Sequence, residues 1–292
     1  MTHPRTTPRP FRPGGRSPHE RPSALFDRVC IGTVIALAVL WVVPIAWAVD
    51  TSLKPEAETT KLPVTWLIDQ PTLDAYRSVL ANTDLTSWYL NSVLVATLVA
   101  AGTVLTASMA GFALARVPFR GSGTWFWVIL AGIMIPSQAL VVPLYREVQS
   151  MGLLGTYWAV ILPQIPTAVA VFVFKQFFDG LPRELIEAAQ ADGAGWLRIY
   201  GRIIMPLSRP AASAVAIFSF VWAWNNLLWP LLVLTDSQLM TVTVGLATVQ
   251  SEFGIRYAQI MASAILGALP LLVLFLFFQR QIVRGIAGTG LK

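Results

Sequence analysis

Apolar and polar positions alternate along this chain in blocks rather than residue by residue. Val29 to Val49 carries no charge over about twenty residues, and at roughly 1.5 Å of rise per residue such a helix crosses a hydrocarbon core of about 30 Å. Five further blocks of this kind follow: Trp88 to Leu114, Trp125 to Tyr145, Trp158 to Phe174, Ala211 to Leu234 and Tyr257 to Phe278. They predict six transmembrane helices in an all-α, polytopic membrane protein. Prolines interrupt several of them: Pro136 and Pro143 break the third, Pro163 and Pro166 lie in the fourth, Pro230 sits near the end of the fifth and Pro270 kinks the sixth.

The polar blocks complete the plan. Residues 1–28 hold six prolines and six arginines and too little apolar surface to fold alone. They read as a disordered cytoplasmic tail whose arginines fix orientation or touch anionic lipid. Asp50 to Ser87 is polar, with a short helix expected over Leu73 to Leu80, and Arg146 to Tyr157 and Thr235 to Arg256 are expected loops on the same side. Residues 280–292 form a short basic tail. That leaves 29–279 as one transmembrane domain, with no internal repeat and no second soluble domain. Ala46-Trp47-Ala48 imitates a signal-peptidase site, but the apolar run before it is longer than a signal core, so the segment is expected to stay as a helix.

Composition agrees with this plan. Charged residues are only 12% of the 292 and hydrophobic residues 55%, too few charges to cover a soluble globule. The net charge of +6 does not indicate nucleic acid, because the basic residues flank apolar blocks instead of lining one face. With the N-terminus inside, sixteen Lys/Arg fall on inner segments and five on outer ones. The positive-inside rule therefore predicts both termini in the cytoplasm.

The chemistry available is narrow. No Asp, Glu, Lys, Arg or His falls in the central part of any predicted span, which argues against a proton relay. None of the four lysines follows a glycine, so the chain has no P-loop of its own. The only histidines, His3 and His19, lie in the N-terminal tail, and Cys30 is the single cysteine. No His-based metal site or intrachain disulfide is expected.

The stretch Asp179 to Arg209 is the long charged interval in the second half of the chain. Pro182 suits a first helical turn and Arg183 to Ala191 are good helix formers. Asp192-Gly193 then predicts a turn, followed by a second helix from about Gly195 to Met205, ended by Pro206. Ala188, Ala189, Gly193 and Ala194 leave this hairpin little side-chain bulk, so a partner's surface can approach its backbone. Glu187 is placed to pair with an Arg of such a partner or with Arg183 one turn earlier. Asp192 is expected to cap the second helix or fix the turn.

Glu187-Ala188-Ala189, three residues, Gly193, nine residues and Ile203-x-Met205-Pro206 resemble the EAA loop of binding-protein-dependent ABC importer permeases. Met205 stands where that family usually has Leu. Phe220 to Leu231, Asn91-Ser92, and Gln279-Arg280 with Gly285 are similar to the maltose-type (MalG-like) carbohydrate uptake permeases, and the likeness covers residues 25 to 292. The tail departs from that pattern in lacking a closing Gly.

The resemblance implies a six-helix permease with a cytoplasmic EAA coupling helix–turn–helix at 179–209. Through Glu187, Ala188, Ala189, Asp192 and Gly193 it would dock an ABC ATPase dimer. No cofactor is expected in this chain, ATP and Mg being bound by that ATPase. A second related permease, an extracytoplasmic solute-binding protein and membrane lipid complete the implied set of partners. Asn225, Asn226, Trp222, Ser137 and Gln138 are candidates for the substrate path: the amides need partners in an apolar setting, and Trp222, Trp224 and Trp229 offer flat faces of the kind sugars pack on. The expected function is import of a carbohydrate or a related polyol or glycerophosphate, without chemical conversion. The alternatives are a membrane-embedded enzyme acting on lipid or glycan, which needs a catalytic carboxylate, His or metal motif, and a secondary carrier driven by an ion gradient.

Overall fold

The computed structural model describes residues 24–61, 65–252 and 256–287. The expected disorder of the N-terminal tail thus lies outside the described residues up to Ser23, as does the final part of the C-terminal tail. Two compact units are distinguished, ending and beginning at Trp47 and Ala48. The first is described from Ala24 onward as part of one helix, α1 (Ala24–Ser52), which starts inside the segment expected to be a tail.

In the second unit the chain continues through α2 (Glu56–Thr59), α3 (Asp74–Ala81) and the long α4 (Leu85–Arg116). Next come α5 (Ser122–Ala131), α6 (Val141–Ser150), α7 (Tyr157–Ile161) and α8 (Ala168–Asp179). The hairpin follows as α9 (Glu184–Ala191), α10 (Trp196–Ile199), a π-turn over Tyr200–Ile204 and α11 (Met205–Leu207). The last elements are α12 (Arg209–Asn225), α13 (Leu228–Val233), α14 (Val242–Glu252) and α15 (Tyr257–Ala287). Among the described residues there is no strand.

Phe26–Ser52, Leu85–Arg116 and Tyr257–Gln279 are long and apolar enough to cross a membrane singly. Three bent pairs meet the same test. The third expected span turns by 93° between Met134 and Ser137, the fourth by 45° between Gln164 and Ala168, and α12 meets the hairpin's second limb at 80° across Ser208. Pro136 explains the first break and Pro166 the second: each lacks an N–H and disfavours helical geometry in the residue before it.

Four expectations need correction. The third span is two helices nearly at right angles that part near Pro136, Pro143 falling in the first turn of α6 without breaking it, and α6 carries the chain through Arg146 to Ser150, where a loop was expected. The fifth breaks at Asn226–Leu227, because Pro230 falls in the first turn of a new helix, where its missing N–H costs nothing. The loop expected over Thr235 to Arg256 contains α14, whose Val242, Val244 and Leu246 are buried and which packs on α4 and α15. The basic tail expected from 280 is helical to Ala287 as the end of α15.

α4 is the axis of the second unit and packs against both α8 and α12. Its buried positions, Trp88, Asn91, Ser92, Val95, Val99, Thr103, Ala107, Gly111 and Phe112 among them, recur every three or four residues and form one stripe. Toward Trp88 the stripe joins an apolar core with Val160, Ile161, Trp224, Trp229 and Val242. Toward Phe112 it joins a second core with Phe174, Phe178, Ile199, Ile204 and Val215. Two glycines set how closely α4 can be approached. A Cβ on Gly102 would meet Ile165 Cδ1 at 2.6 Å, and one on Gly111 would meet Phe174 Cβ at 2.8 Å. Small residues let helix backbones come together where no aqueous hydrophobic effect drives them.

The polar segment after α1 is also folded. Lys54 is buried, pairs with Asp50 at 2.7 Å and donates to the Thr65 carbonyl at 2.7 Å. Asp50 Oδ1 accepts the Ile68 N–H at 3.0 Å, and Ser52 Oγ lies 2.8 Å from the Tyr76 hydroxyl. Glu58 is buried too and accepts from Thr65 Oγ1 at 3.3 Å, so both buried charges of this segment among the described residues have a partner, the condition under which burying one is tolerable.

Candidate functional site

The 179–209 hairpin is anchored on one side and bare on the other. On α9, Ile186 and Ala189 are buried one turn apart, while Glu187, Ala188, Gln190 and Ala191 are exposed; Ala189, expected on the docking face, instead packs inward with Ile186 as part of the apolar core. Past the turn, Ile199 and Ile204 are fully buried and Leu197 is 78% exposed.

The turn itself is a Schellman motif. Gly193 donates to the Gln190 carbonyl at 2.9 Å, Ala194 donates to the Ala189 carbonyl at 2.9 Å, and Gly193 has φ +77°. Glycine occupies that left-handed position without the Cβ penalty other residues pay. Asp192 is the last residue of α9's cap, and Gly195, not Asp192, is the N-cap of α10, with no side-chain bond. Asp192 therefore does not cap the second helix: the backbone bonds hold the turn unaided. Among the described residues, Glu187 makes no ion pair with Arg183, and its carboxylate is exposed. Pro206 does not end the second limb, which runs to Leu207. The wider π-turn ahead of it relieves the clash its ring would make with the carbonyl four residues back.

Inward, the hairpin is gripped by the end of α4. Phe112 packs its ring against Phe178, Trp196 and Tyr200 at centroid distances of 6.1, 6.2 and 5.5 Å. Ser108 Oγ lies 2.7 Å from the Tyr200 hydroxyl. The Arg116 guanidinium donates to the carbonyls of Phe178 and Leu181, with Nε 3.0 Å from the former. Beside it Lys175 pairs with Asp179 at 2.6 Å and lies 4.7 Å above the Phe126 ring.

The candidate path residues separate into two groups. Trp222 (71% exposed), Asn225 and Phe218 share one exposed face of α12, at positions 218, 222 and 225. Asn225 Nδ2 donates to the Val221 carbonyl of its own helix at 2.9 Å, which leaves its second N–H and its Oδ1 for other partners. Asn226 turns inward. Its Nδ2 donates to Gln164 Oε1 at 2.9 Å, its Oδ1 accepts the Trp229 N–H at 3.4 Å, and its carbonyl accepts from Thr243 Oγ1 at 3.1 Å.

Ser137 and Gln138 are exposed at the 93° break and bond to each other at 3.3 Å. Among the described residues no hydrogen bond joins them to Asn225, Asn226 or Trp222. Of the three tryptophans offered as flat faces, only Trp222 presents one. Trp224 is buried between Tyr89 and Phe220, and Trp229 is buried with its indole N–H on the Ala159 carbonyl at 2.9 Å.

A cavity of about 730 Å³ opens between α4, α12 and α15, lined by residues such as Val104, Leu105, Ala216, Ile217, Phe220 and Leu274. It is almost wholly apolar and includes none of the five path candidates.

Sequence reasoning missed Gln164 and Arg116. Gln164 stood between Pro163 and Pro166 in an apolar block, the same signal that marked Asn226. In the sequence Arg116 shows only as a topology marker.

Residues 102–287 match the family model described as binding-protein-dependent transport system inner membrane component. The chain is 35% identical over 259 residues to the arabinooligosaccharides transport system permease protein AraQ of Halalkalibacterium halodurans, covering 88% of this chain and 93% of that one. It is 32% identical over 262 residues to the sn-glycerol-3-phosphate transport system permease protein UgpE of Yersinia pestis bv. Antiqua, covering 89% and 93%. A solved chain described as a bacterial ABC transporter involved in the import of the acidic polysaccharide alginate has the same fold. The two superpose with a TM-score of 0.78 at 18% identity, over 90% of this chain and 98% of that one.

Proposed function

The chain belongs to the family of binding-protein-dependent transport system inner membrane components, and on that premise we propose that it passes an oligosaccharide or a related polyol or glycerophosphate inward, driven through the 179–209 hairpin. It is a multi-pass permease subunit that works with an ATPase and a solute-binding protein, and it performs no chemical conversion. The enzyme alternative is not favoured, since these relatives are transport permeases.

The finer reading has a second related permease completing the passage and an ATPase dimer holding ATP and Mg. Both termini lie in the cytoplasm, a reading supported by the sixteen-to-five distribution of Lys and Arg. Nucleotide closure of the dimer moves the hairpin, and the helices re-pack between two arrangements. Asn225 and Trp222 on the exposed face of α12 line the solute path, together with Ser137 and Gln138 at the 93° break of the third span.

The observation that carries this reading is the bare face of Glu187, Ala188, Ala191, Asp192 and Gly193 on a turn whose shape is fixed by its own backbone. The test replaces Glu187 and Gly193 by bulky residues in the complex co-expressed with its ATPase. Loss of ATPase co-purification and of uptake is expected; unimpaired uptake with the ATPase still bound overturns it.

A further inference from the structure

The two ends of α4 hold opposite parts of the second unit. At one end, Trp88 Nε1 donates to the Ser237 carbonyl at 2.9 Å. Asn91 Nδ2 donates to the carbonyls of Gln238 and Met240 at 2.7 and 3.0 Å, and Ser92 Oγ accepts the Val242 N–H at 2.8 Å. Tyr157 donates to Asn91 Oδ1 at 2.7 Å, fixing the amide's orientation. The 237–242 segment is thus tied to three side chains within five residues of α4.

At the other end, Arg116 and Ser108 hold the two limbs of the hairpin separately. Arg116 reaches the end of α8 through the carbonyl of Phe178 and the start of the entry limb through that of Leu181, and Ser108 reaches the exit limb through Tyr200. A guanidinium suits this place: its several N–H groups diverge in a fixed plane, so one side chain spans two carbonyls. Its charge also lies at the C-terminal end of α8, where unpaired carbonyls concentrate negative potential.

We propose that Arg116 is a positioning residue for coupling: it locks the entry limb of the hairpin to α4, so that a displacement of the hairpin carries α4, and the 237–242 segment at its far end, as one body. This rests on the permease reading above. The observation beyond that reading is that one unbroken helix of 32 residues carries both sets of ties. An α-helix transmits displacement along its length, whereas the route through α12 and α13 is bent at Ser208 and broken at Asn226, and the route through α8 and α7 is bent by 45° between Gln164 and Ala168.

The test uses the complete transporter, co-expressed with its ATPase, in a Cys30→Ser background. An environment-sensitive fluorophore is placed on Gln190→Cys at the hairpin or, in a second sample, on Ser237→Cys at the far end of α4. A non-hydrolysable ATP analogue with Mg is the probe. In the otherwise unaltered complex both reporters are expected to shift emission on nucleotide addition.

In Arg116→Met the hairpin reporter is expected to keep its shift and the Ser237 reporter to lose most of its own, with ATP hydrolysis continuing. Arg116→Lys, which keeps the charge but cannot span both carbonyls, should fall between. Full shifts at both reporters in Arg116→Met overturn the proposal, and so does a proportional loss at both, which marks a merely structural role. If Arg116→Met does not assemble, Arg116→Lys alone decides: a Ser237 shift reduced against an intact hairpin shift is expected, and full shifts at both reporters overturn the proposal. An unaltered complex that binds no ATPase overturns the permease reading itself, and this inference with it.

Discussion

Asn226 donates to Gln164 across 2.9 Å, and each residue sits at the break of its own helix. Asn226 follows the last turn of α12 before α13, and Gln164 ends the first half of the bent pair α7–α8. Two discontinuous helices are therefore joined at their discontinuities, where loosened backbone groups need partners. Trp229 strengthens the junction by donating to both the Asn226 side chain and the region of α7 through the Ala159 carbonyl.

Replacing Asn226 by Leu should leave the Gln164 amide short of a partner and cost about 0.5–2 kcal/mol of stability. Gln164→Leu should cost a similar amount. The double variant should recover part of the loss, because both amides are then gone together. Thermal unfolding in detergent of the four proteins measures this, and strict additivity would count against the pair.

Gly245 faces Trp88 so closely that an added Cβ would lie 2.2 Å from an indole ring carbon. Gly245→Ala should therefore destabilise by about 1–3 kcal/mol through overpacking. A smaller ring, Trp88→Phe, should relieve the clash at the expense of the Trp88 bond to Ser237. Unfolding midpoints of Gly245→Ala with and without Trp88→Phe are the check; equal midpoints for Gly245→Ala and the parent protein would sink the idea.

Gly193 and Gly195 differ in kind although two residues apart. Neither has a heavy atom near an added Cβ, but only Gly193 has positive φ. Gly193→Ala is expected to cost about 1–2 kcal/mol in backbone strain, and Gly195→Ala close to nothing. Gly193→Asn should be milder than Gly193→Ala, since Asn tolerates the left-handed region. Co-purification of the ATPase, measured beside thermal stability, should fall for Gly193→Ala and hold for Gly195→Ala.

Trp222 is exposed on α12 while Trp224 is buried two residues on. Trp222→Ala should leave the melting temperature nearly unchanged and reduce uptake, whereas Trp224→Ala should cost about 3–5 kcal/mol. Uptake by a Trp222→Ala transporter equal to that of the parent would remove this side chain from the proposed path.

The sequence made the apolar blocks and the hairpin readable for different reasons. Block length against bilayer thickness is a strong constraint, and the Asp192-Gly193 turn has a local chemistry that names itself. The break at Asn226 carries no such mark, because Pro230 lies beyond it and serves the first turn of α13. α14 was hidden in a stretch whose apolar run is short, and it is placed by contact with α4 at Gly245, a pairing more than 150 residues apart in sequence. Arg116 was visible as a charge but not as a clamp, since its partners are backbone carbonyls that no side-chain pattern advertises. The two candidate amides look alike in sequence, and only the end of α12 separates them: Asn225 is its last residue and faces out, whereas the extended backbone of Asn226 turns its amide inward.

Ser208 is fully buried and bonds back to the Ile204 carbonyl at 2.6 Å, fixing the corner where the hairpin's second limb meets α12 at 80°. A corner so close to square changes the direction of a thrust. Force applied along the short limb reaches α12 chiefly as a shove to the side, hardly as a stroke along its axis. On the permease reading, α12 would then tilt about its corner like a door leaf and would hardly slide like a piston.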